Sequence, residues 1–521
     1  MTHVAAWIVL GSLAAAPMPS TSNSQLMDAP QIAQKIDSIL ATHWAESEVQ
    51  PTAPASDSEF LRRVSVDLLG RIPTAEEARI FFQDSGPDKR SRLITRLMNS
   101  PEYALHLGRV LDEIIQDKYA GDGEFVEFLR ESVANRTGWD AIFRQIINGP
   151  WETKEAKRSS KFLVQRMKSL DDLTNDTSRV FFGVNVSCAK CHDHPLVPDW
   201  TQEHYYGLAS FFNRTHEASK NKPNEGIKEA NKGDVKYVTV KGVSKVARPM
   251  FLSNKVVSSE PPKGKDLVSL RQELVSVALE DRVFFRRAIV NRLWANFFGR
   301  GLIDPLDQMH AANLPTVPKL LEWLGDDFAS HGYQLDRLIA GMLMSRAYQS
   351  TSIGDSETLS EQEAAFARAT LRPLTPQQYV ASMLLATGHA KIDASKPANA
   401  RANDARQLDS RANGMARMRM LDAPAERFQS SAVEALFLSN HADVQKLMQP
   451  GRSPLIDQLA KMDDAKQILE LAFLTILTRT PDAEEIKELS PLLVGPAAER
   501  PKRVSLLVWA LVTSAEFRFN H

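Results

Sequence analysis

Two cysteines and a histidine in one short stretch are the residues of this chain whose types and spacing best suit a cofactor. Cys188 and Cys191 are the only cysteines among 521 residues, and His192 follows the second directly. This C-x-x-C-H spacing is that of c-type haem attachment, because two thiols about one helical turn apart can form thioethers to the two porphyrin vinyl groups. The adjacent imidazole then faces the iron. The pattern predicts haem c on Cys188 and Cys191, with His192 as the proximal ligand.

The same stretch is compatible with other kinds of site. A C-x-x-C pair can form a local disulfide or redox couple, for which a cysteine-poor exported chain is a possible setting. The pair can also supply half of a tetrahedral zinc site, completed by two of the three histidines His192, His194 and His204. A motif this short also arises by chance. These interpretations stay open at the level of sequence.

A distal ligand for a haem iron is less clearly indicated. Met250, in the segment Arg-Pro-Met-Phe, lies downstream of the motif at a plausible distance, and a methionine ligand would raise the reduction potential. Packing within its own segment is the simpler explanation of this methionine. His204 and His216 are alternatives, whereas His194 lies too close in sequence to reach the opposite face of the same haem.

A metal-dependent enzyme is the second functional class, and a surface interaction protein with a local disulfide is the third. The enzyme hypothesis gives zinc or iron to the ligands Cys188, Cys191, His194 and His204, and gives the role of general base or supporting partner to Asp193 or Asp199. The sequence has no Gly-rich phosphate loop, no G-x-S-x-G and no H-E-x-x-H. One further group either lines a ligand pocket or forms salt bridges at a helix end: Arg292, Trp294, Arg300 and Asp304.

Charge and the N-terminus restrict partners and location. The formal net charge is −1 and the isoelectric point is about 6.9, so no global field favours nucleic acid or an anionic membrane. An apolar run over residues 5–16 ends in small residues and predicts a signal peptide within residues 1–20. The run is too short to span a bilayer. We therefore expect export to the periplasm or cell surface, without an integral membrane segment in the mature chain.

Hydrophobic spacing predicts a mainly α protein with two helical domains, since single cores seldom exceed roughly 250 to 300 residues. We place the first helical domain at residues 28–216 and the second at residues 266–521. Between them, residues 217–265 are rich in Lys, Asn, Gly and Pro, and alternation predicts strands at about 235–257 in a small β insertion. The polar, Ala/Arg/Asn-rich residues 392–418 are predicted to form a loop.

The two ends of the chain share a sequence pattern. Leu-Gly-Arg-Ile-Pro-Thr-Ala-Glu-Glu over residues 69–77 aligns with Leu-Thr-Arg-Thr-Pro-Asp-Ala-Glu-Glu over residues 477–485. In both copies a Ser-x-Glu-aromatic segment follows about thirty residues later, at 100–103 and 514–517. Residues 338–348 match part of the same pattern. We interpret this as a recurring helical hairpin, although helix-capping preferences alone can produce such a likeness.

Longer segments resemble a known pair of domains. FLRRVSVDLLGRIPTAEEA, CAKCHDHP and DWTQEHYYGLASFF resemble the planctomycete cytochrome-related domain of unknown function numbered 1549. RRAIVNRLWANFFGRGLIDPLDQMHAANLPT, LDRLIAGMLMSRAYQ and the closing SAEFRFNH resemble its usual C-terminal partner, numbered 1553. The likeness covers most of the chain from about residue 31. It implies an exported, mainly helical protein whose first domain carries the C-x-x-C-H site, which favours electron transfer with a redox partner that the sequence does not identify.

Overall fold

The computed structural model describes residues 28–149, 154–194, 197–218, 226–260, 268–393, 395–417 and 441–521. The predicted signal peptide lies outside these residues. The described chain is mainly α-helical with small two-stranded sheets, so the predicted fold class is confirmed. No helix in this part of the chain is both long and apolar enough to cross a membrane.

Buried side chains from residues 29–367 form one hydrophobic core, and we call this part of the chain the first lobe. Its helices are α1 (Ala29–Glu46), α2 (Asp57–Leu69), α3 (Ala75–Gln83), α4 (Lys89–Met98), α5 (Pro101–Gln116), α6 (Gly123–Ala134), α7 (Trp139–Asn148), α8 (Lys154–Ser159), α9 (Lys161–Arg166), α10 (Leu170–Phe182), α11 (Gln202–Ser210), α12 (Leu270–Glu280), α13 (Phe284–Phe298), α14 (Pro318–Ser330), α15 (Leu335–Met344) and α16 (Leu359–Ala364). Helix α1 packs closely on α15, since a Cβ added at Gly341 would lie only 2.5 Å from the Ile32 side chain.

A second core is formed mainly by residues 374–517, which we call the second lobe. Its helices are α17 (Pro376–Ala386), α18 (Ala398–Arg417), α19 (Ala442–Leu447), α20 (Pro454–Leu459), α21 (Ala465–Leu477), α22 (Ala483–Leu493), α23 (Arg500–Val512) and α24 (Ala515–Arg518). Val66 and Ile72 of the first lobe also belong to this core, so the two lobes share an apolar contact.

The short strands pair in three antiparallel ladders. Strands β1 (Thr215–Glu217) and β2 (Ile227–Glu229) pair, as do β3 (Lys236–Val238) and β4 (Ser244–Val246). Only β3 and β4 lie inside the predicted strand region. The last ladder joins β5 (Arg372–Pro373) to β6 (Phe519–Asn520), and alternation could not predict it because each strand has two residues.

Helix boundaries follow the capping residues. Ser56 accepts the Glu59 N–H at the start of α2, and Gly70 ends that helix with a positive φ of 70°. Thr74 and Glu77 form a capping box at the start of α3. The loop predicted for residues 392–418 is wrong, because α18 occupies most of it. Ala405, Leu408 and Ala412 are buried at helical spacing there, and the surrounding Ala, Arg and Gln residues are good helix formers.

The repeated sequence pattern has a structural counterpart. Arg71 Nε lies 2.6 Å from Glu102 Oε1, and Arg71 Nη1 lies 2.8 Å from Glu77 Oε2. We call these three residues the N-terminal cluster. Its arginine also donates to the backbone carbonyl of the next residue, Ile72.

The second copy has the same bonds. Arg479 Nε lies 2.6 Å from Glu516 Oε1, and Arg479 Nη1 lies 2.7 Å from Glu485 Oε2. We call these residues the C-terminal cluster. Here too the arginine donates to the carbonyl of the next residue, Thr480. The shared bonds support duplication of a packing unit over a coincidence of helix-capping preferences.

Serine caps extend the likeness to all three copies. Ser100 Oγ accepts the N–H of Tyr103, and Ser514 Oγ accepts the N–H of Phe517. In the partial third copy, Ser345 Oγ accepts the N–H of Tyr348 at 3.4 Å. A serine three residues before an aromatic residue therefore serves the same local purpose in each copy.

Helix α2 connects the lobes through a buried arginine. Arg62 has no exposed surface, and its guanidinium donates to the carbonyls of Ile476 at 3.2 Å and Phe517 at 2.8 Å. One turn further along, Asp67 accepts from the Asn520 amide at 2.8 Å and from Arg372. Polar groups near the start of the chain thus find their partners in the second lobe.

Candidate functional site

The C-x-x-C-H motif forms a tight exposed turn after α10. That helix ends at Gly183, whose φ is 68°, and a 3₁₀-helix follows over Ser187–Lys190. Cys188 lies in this 3₁₀-helix, and Cys191 directly follows its end. Both are exposed free thiols. The turn therefore presents two exposed thiols at the spacing that c-type haem attachment requires.

His192 is also exposed, and one of its two ring nitrogens is hydrogen-bonded to the backbone. Its Nδ1 lies 2.7 Å from the backbone carbonyl oxygen of Asp193. A carbonyl oxygen only accepts, so Nδ1 carries the proton and donates it. In the neutral imidazole, Nε2 is then the nitrogen available to a metal, which is the arrangement that ligating histidines favour.

Gln202 holds the turn in place. Its side chain is buried, and its amide nitrogen donates to the carbonyls of Cys191 at 3.2 Å and Lys190 at 3.4 Å. Its amide oxygen accepts the Val240 N–H at 3.0 Å, and its backbone N–H donates to the Asp193 carboxylate at 2.9 Å. One glutamine therefore joins the motif, the start of α11 and the β insertion.

An ion pair fixes the same turn to α10. The Lys190 ammonium pairs with the Asp171 carboxylate, which also accepts the Tyr205 hydroxyl. Burial raises the pKa of Asp171, but the hydrogen bonds from Lys190 and Tyr205 outweigh it and leave that pKa lowered. The hydrogen bond to Asp171 in turn raises the pKa of Lys190.

Two stacked tyrosines connect α11 to β3 beside the motif. The rings of Tyr206 and Tyr237 lie 4.2 Å apart between centroids and 15° from parallel. The Tyr206 hydroxyl donates to the Lys190 carbonyl at 3.1 Å. The β insertion is thus attached to the motif by both a ring stack and the Gln202 amide.

His204 serves mainly as a helix cap. It is buried, and its Nδ1 accepts the Thr201 N–H at 3.3 Å at the start of α11. Burial lowers its pKa, with a hydrogen bond to Asn254 opposing that effect. His194 lies in the same loop, where its backbone N–H donates to the Trp200 carbonyl at 2.7 Å.

Met250 is buried against α11. Its Cβ lies 2.8 Å from where a Cβ of Gly207 would be, and its N–H donates to the Gly207 carbonyl at 3.2 Å. This close packing agrees with the simpler explanation of the methionine. His216 is exposed in β1, and its Nδ1 lies 3.1 Å from the Arg214 carbonyl.

The four ligands of the zinc hypothesis are not gathered. Among the residues that the structure describes, no three His, Cys, Asp or Glu side chains are arranged to hold a metal ion. The two suggested bases both hold backbone groups: Asp193 accepts from Gln202, and Asp199 accepts the Ala311 N–H at 2.8 Å.

The second group of candidate residues divides among three environments. Trp294 is fully buried and stacks on Phe298 with centroids 3.9 Å apart, so it belongs to the core. Asp304 is exposed on the loop after α13, whereas Arg300 is half-buried. Arg292 lines an open cleft of about 300 Å³. Only this arginine meets the expectation of a pocket residue.

A pocket of about 460 Å³ lies against the loop that follows the motif. Its walls include Trp200, His204, Phe284 and His310. Cys188, Cys191 and His192 do not line it, so the motif opens to the surface. His194 and Asp199 are close enough to His310 to act on its pKa, which burial lowers.

Sequence reasoning missed the residues that hold the motif, namely Asp171, Gln202, Tyr205 and Tyr206. Their signals are weak because a glutamine at a helix start is ordinarily exposed. The residues that carry the chemical pattern were found from spacing alone. The residues that position them come from other elements.

Comparisons with known families match two segments of the chain, and the gap between them lies within the first lobe. Residues 35–217 match a family described as protein of unknown function (DUF1549), and residues 271–493 match a family described as protein of unknown function (DUF1553). The comparison with curated proteins found no match, and neither did the comparison with solved structures. The chain belongs to the proteins in which a DUF1549 domain precedes a DUF1553 domain.

Proposed function

We propose that this protein is an exported, c-type cytochrome-like electron-transfer protein with haem attached to Cys188 and Cys191. One observation carries the proposal: both thiols are exposed on one turn, and His192, the next residue, makes its hydrogen bond through Nδ1 and so leaves Nε2 for a metal. The donor set is the one that covalent haem needs. The residues present therefore fit the group.

Haem bound at this turn would supply one-electron transfer. The chain's own residues would tether and orient it: the two thiols would form thioethers, and the His192 Nδ1–H bond to a carbonyl would leave Nε2 available to the iron. Gln202 and the Lys190–Asp171 pair keep the turn from rearranging. Exposure of all three motif side chains would bring a redox partner close, which favours transfer over catalysis on an enclosed substrate.

Export belongs to the same proposal. The apolar N-terminal run supports it, and so does the chemistry, because bacteria form the thioethers of haem c outside the inner membrane. The redox partner would meet the protein in the periplasm or at the cell surface.

The test is production of the full chain in a host with haem c maturation machinery. We expect denatured protein to keep a Soret band and its intact mass to include one haem, because thioethers survive unfolding. Cys188→Ala should leave a single thioether or none, and His192→Ala should change the iron spin state. Ser187→Ala, on the same exposed turn, is the matched control and should keep the wild-type spectrum.

Two outcomes would contradict the proposal. Released zinc without a Soret band would favour the metal-enzyme hypothesis instead. Protein with neither haem nor metal but with a Cys188–Cys191 disulfide would make the motif structural.

A further inference from the structure

A second cleft lies between α5, α10 and α13, and it includes none of the motif residues. Its volume is about 300 Å³, and the polar residues that line it are Glu113, Asp117, Arg179, Arg292 and Asn296. We call it the arginine cleft. It shares Glu113 and Asn296 with a partly open cavity of about 70 Å³ at the junction of the two lobes. Ligand sites favour such junctions.

Arg292 brings an unbalanced cation to this cleft. Its Nη2 donates to the Arg179 carbonyl at 2.7 Å, but its buried Nε has no hydrogen-bond partner and no carboxylate pairs with it in the described chain. Burial lowers its pKa to about 10, so it stays charged at neutral pH. Arg292 is half-buried and lines the cleft, so an anion there would pair with its charge.

Glu113 faces the same cleft without a partner among the described residues. Its side chain is exposed, and desolvation by the neighbouring protein atoms raises the pKa of its carboxyl to about 7. Arg109 opposes that shift, whereas Asp112 adds to it. Near neutral pH the group is therefore partly a carboxylic acid that can donate a hydrogen bond.

The neighbouring arginines are paired with carboxylates, which distinguishes them from Arg292 and Glu113. Arg179 pairs with Asp307 at 3.0 Å, and Arg109 pairs with Asp409 at 3.0 Å. The Asn296 side-chain amide, by contrast, has no hydrogen bond within the described residues. No aromatic side chain lines the cleft, so it offers no stacking surface for a base or an aromatic ring.

We propose that the arginine cleft binds a small aliphatic hydroxy acid, with the carboxylate on Arg292 and the hydroxyl groups on Asn296 and Glu113. The unpaired cation selects an anion. The amide and carboxyl each offer both a donor and an acceptor, which suits hydroxyl groups. The volume is at the small end of the range for ligand pockets. This site is separate from the proposed haem site, so either can fail without the other.

The first test compares two probes of equal chain length by calorimetry on the full chain. D-gluconate has a carboxylate where sorbitol has a hydroxymethyl group. We expect gluconate to bind and sorbitol to bind at least about tenfold more weakly, because sorbitol cannot form the charge-assisted pair with Arg292. Equal binding of both probes, or binding of neither, would overturn the proposal.

Variants then test the assigned groups. Arg292→Gln should abolish gluconate binding, whereas Arg287→Gln, on the same helix but paired with Glu322, should keep it. Circular dichroism checks that each variant is folded. Unchanged gluconate affinity in folded Arg292→Gln protein would also overturn the assignment.

The pH dependence gives a readout that does not need the Arg292 variant. Between about pH 6 and about pH 8.5, ionisation of Glu113 removes a hydrogen-bond donor and adds a negative charge to the cleft, so gluconate should bind more weakly at the higher pH. The other charged or titratable groups around Glu113 are His106, Arg109, Asp112, Asp117, Arg179, Arg292 and Asp409. Glu113→Gln should bind gluconate with affinity that no longer changes above about pH 7. An unchanged pH profile in this variant would remove Glu113 from the site.

Discussion

The N-terminal and C-terminal clusters have the same bonds in different surroundings. The three side chains of the N-terminal cluster are 1–12% exposed, whereas those of the C-terminal cluster are 28–29% exposed. Helix α17 of the second lobe covers the first copy, where the Ile72 N–H donates to Ser382 Oγ at 3.2 Å. The same sequence pattern therefore gives one buried and one partly solvated ion-pair cluster.

Burial changes what each arginine contributes. Water screens charges near the surface, so an exposed pair contributes little, commonly 0–1 kcal/mol. In a buried cluster the pairing must first offset the desolvation of every charge, and removing one partner leaves the others uncompensated. The same ion-pair motif can therefore contribute little to folding stability at one place in a structure and much more at another.

The largest expected difference follows from replacing each arginine with methionine, which has similar length and no charge. Arg71→Met should lower the free energy of unfolding by about 3–5 kcal/mol, because Glu77 and Glu102 stay buried without a cation. Arg479→Met should cost only about 0–1 kcal/mol, because that cluster is partly solvated. Urea titrations, with the transitions of the two lobes fitted separately, measure both. Equal losses would show that burial does not distinguish the clusters.

The next largest expected difference between the clusters is in how much stability each one loses at acidic pH. Burial raises the pKa of Glu77, but Arg71 outweighs this and lowers it to about 2 from the ordinary 4.5. Because the folded pKa is the lower one, the stabilisation is complete above about pH 4.5 and is lost as the pH falls towards 2. The loss amounts to at most about 3 kcal/mol. Thermal midpoints measured down this range should fall less steeply in Glu77→Gln than in the wild type.

The matched control for this acid dependence is Glu485→Gln. The hydrogen bond from Arg479 lowers the pKa of Glu485 as well, but that carboxylate is partly solvated. Its replacement should flatten the pH profile less than replacement of Glu77. A larger effect at Glu485 would contradict the comparison.

The smallest expected effect is one that should be equal in both copies. Ser100→Ala and Ser514→Ala each remove a local N-cap bond, and each should cost about 1 kcal/mol. Both serines are half-buried, and each cap bond lies within its own turn. Thermal unfolding of the two variants should therefore give similar shifts. A much larger shift for Ser100 would mean that the surrounding lobe, not the cap, decides the cost.

Local signals in the sequence predicted much of the helical fold. The capping box at Thr74 and the glycine ends at Gly70 and Gly299 lie where the structure has helix boundaries, because caps depend on residues within one turn. The repeated pattern at the two ends of the chain was predicted for the same reason. The difference in burial between the two copies could not be predicted, because the helix that covers the first copy, α17, lies more than 300 residues away in sequence.

The loop prediction for residues 392–418 was wrong because the helical pattern there is weak and the helix is buried by a tertiary contact. Helix α18 has only Ala405, Leu408 and Ala412 on its buried stripe, too few for a strong periodic signal among so many polar residues. The candidate sites show the same limit. The cysteines stand out by spacing, whereas Gln202 and Glu113 gain their importance from elements distant in sequence.

The reach of α2 into the second lobe bears on when this protein can fold. Arg62 is fully buried only after Ile476 and Phe517 are present, more than 400 residues later in synthesis. At translation rates of about 5–20 residues per second, tens of seconds separate the synthesis of helix α2 from that of its partners in the second lobe. Its lobe therefore reaches its final packing after translation, which leaves a long interval in which chaperones or an export machinery can hold the chain open.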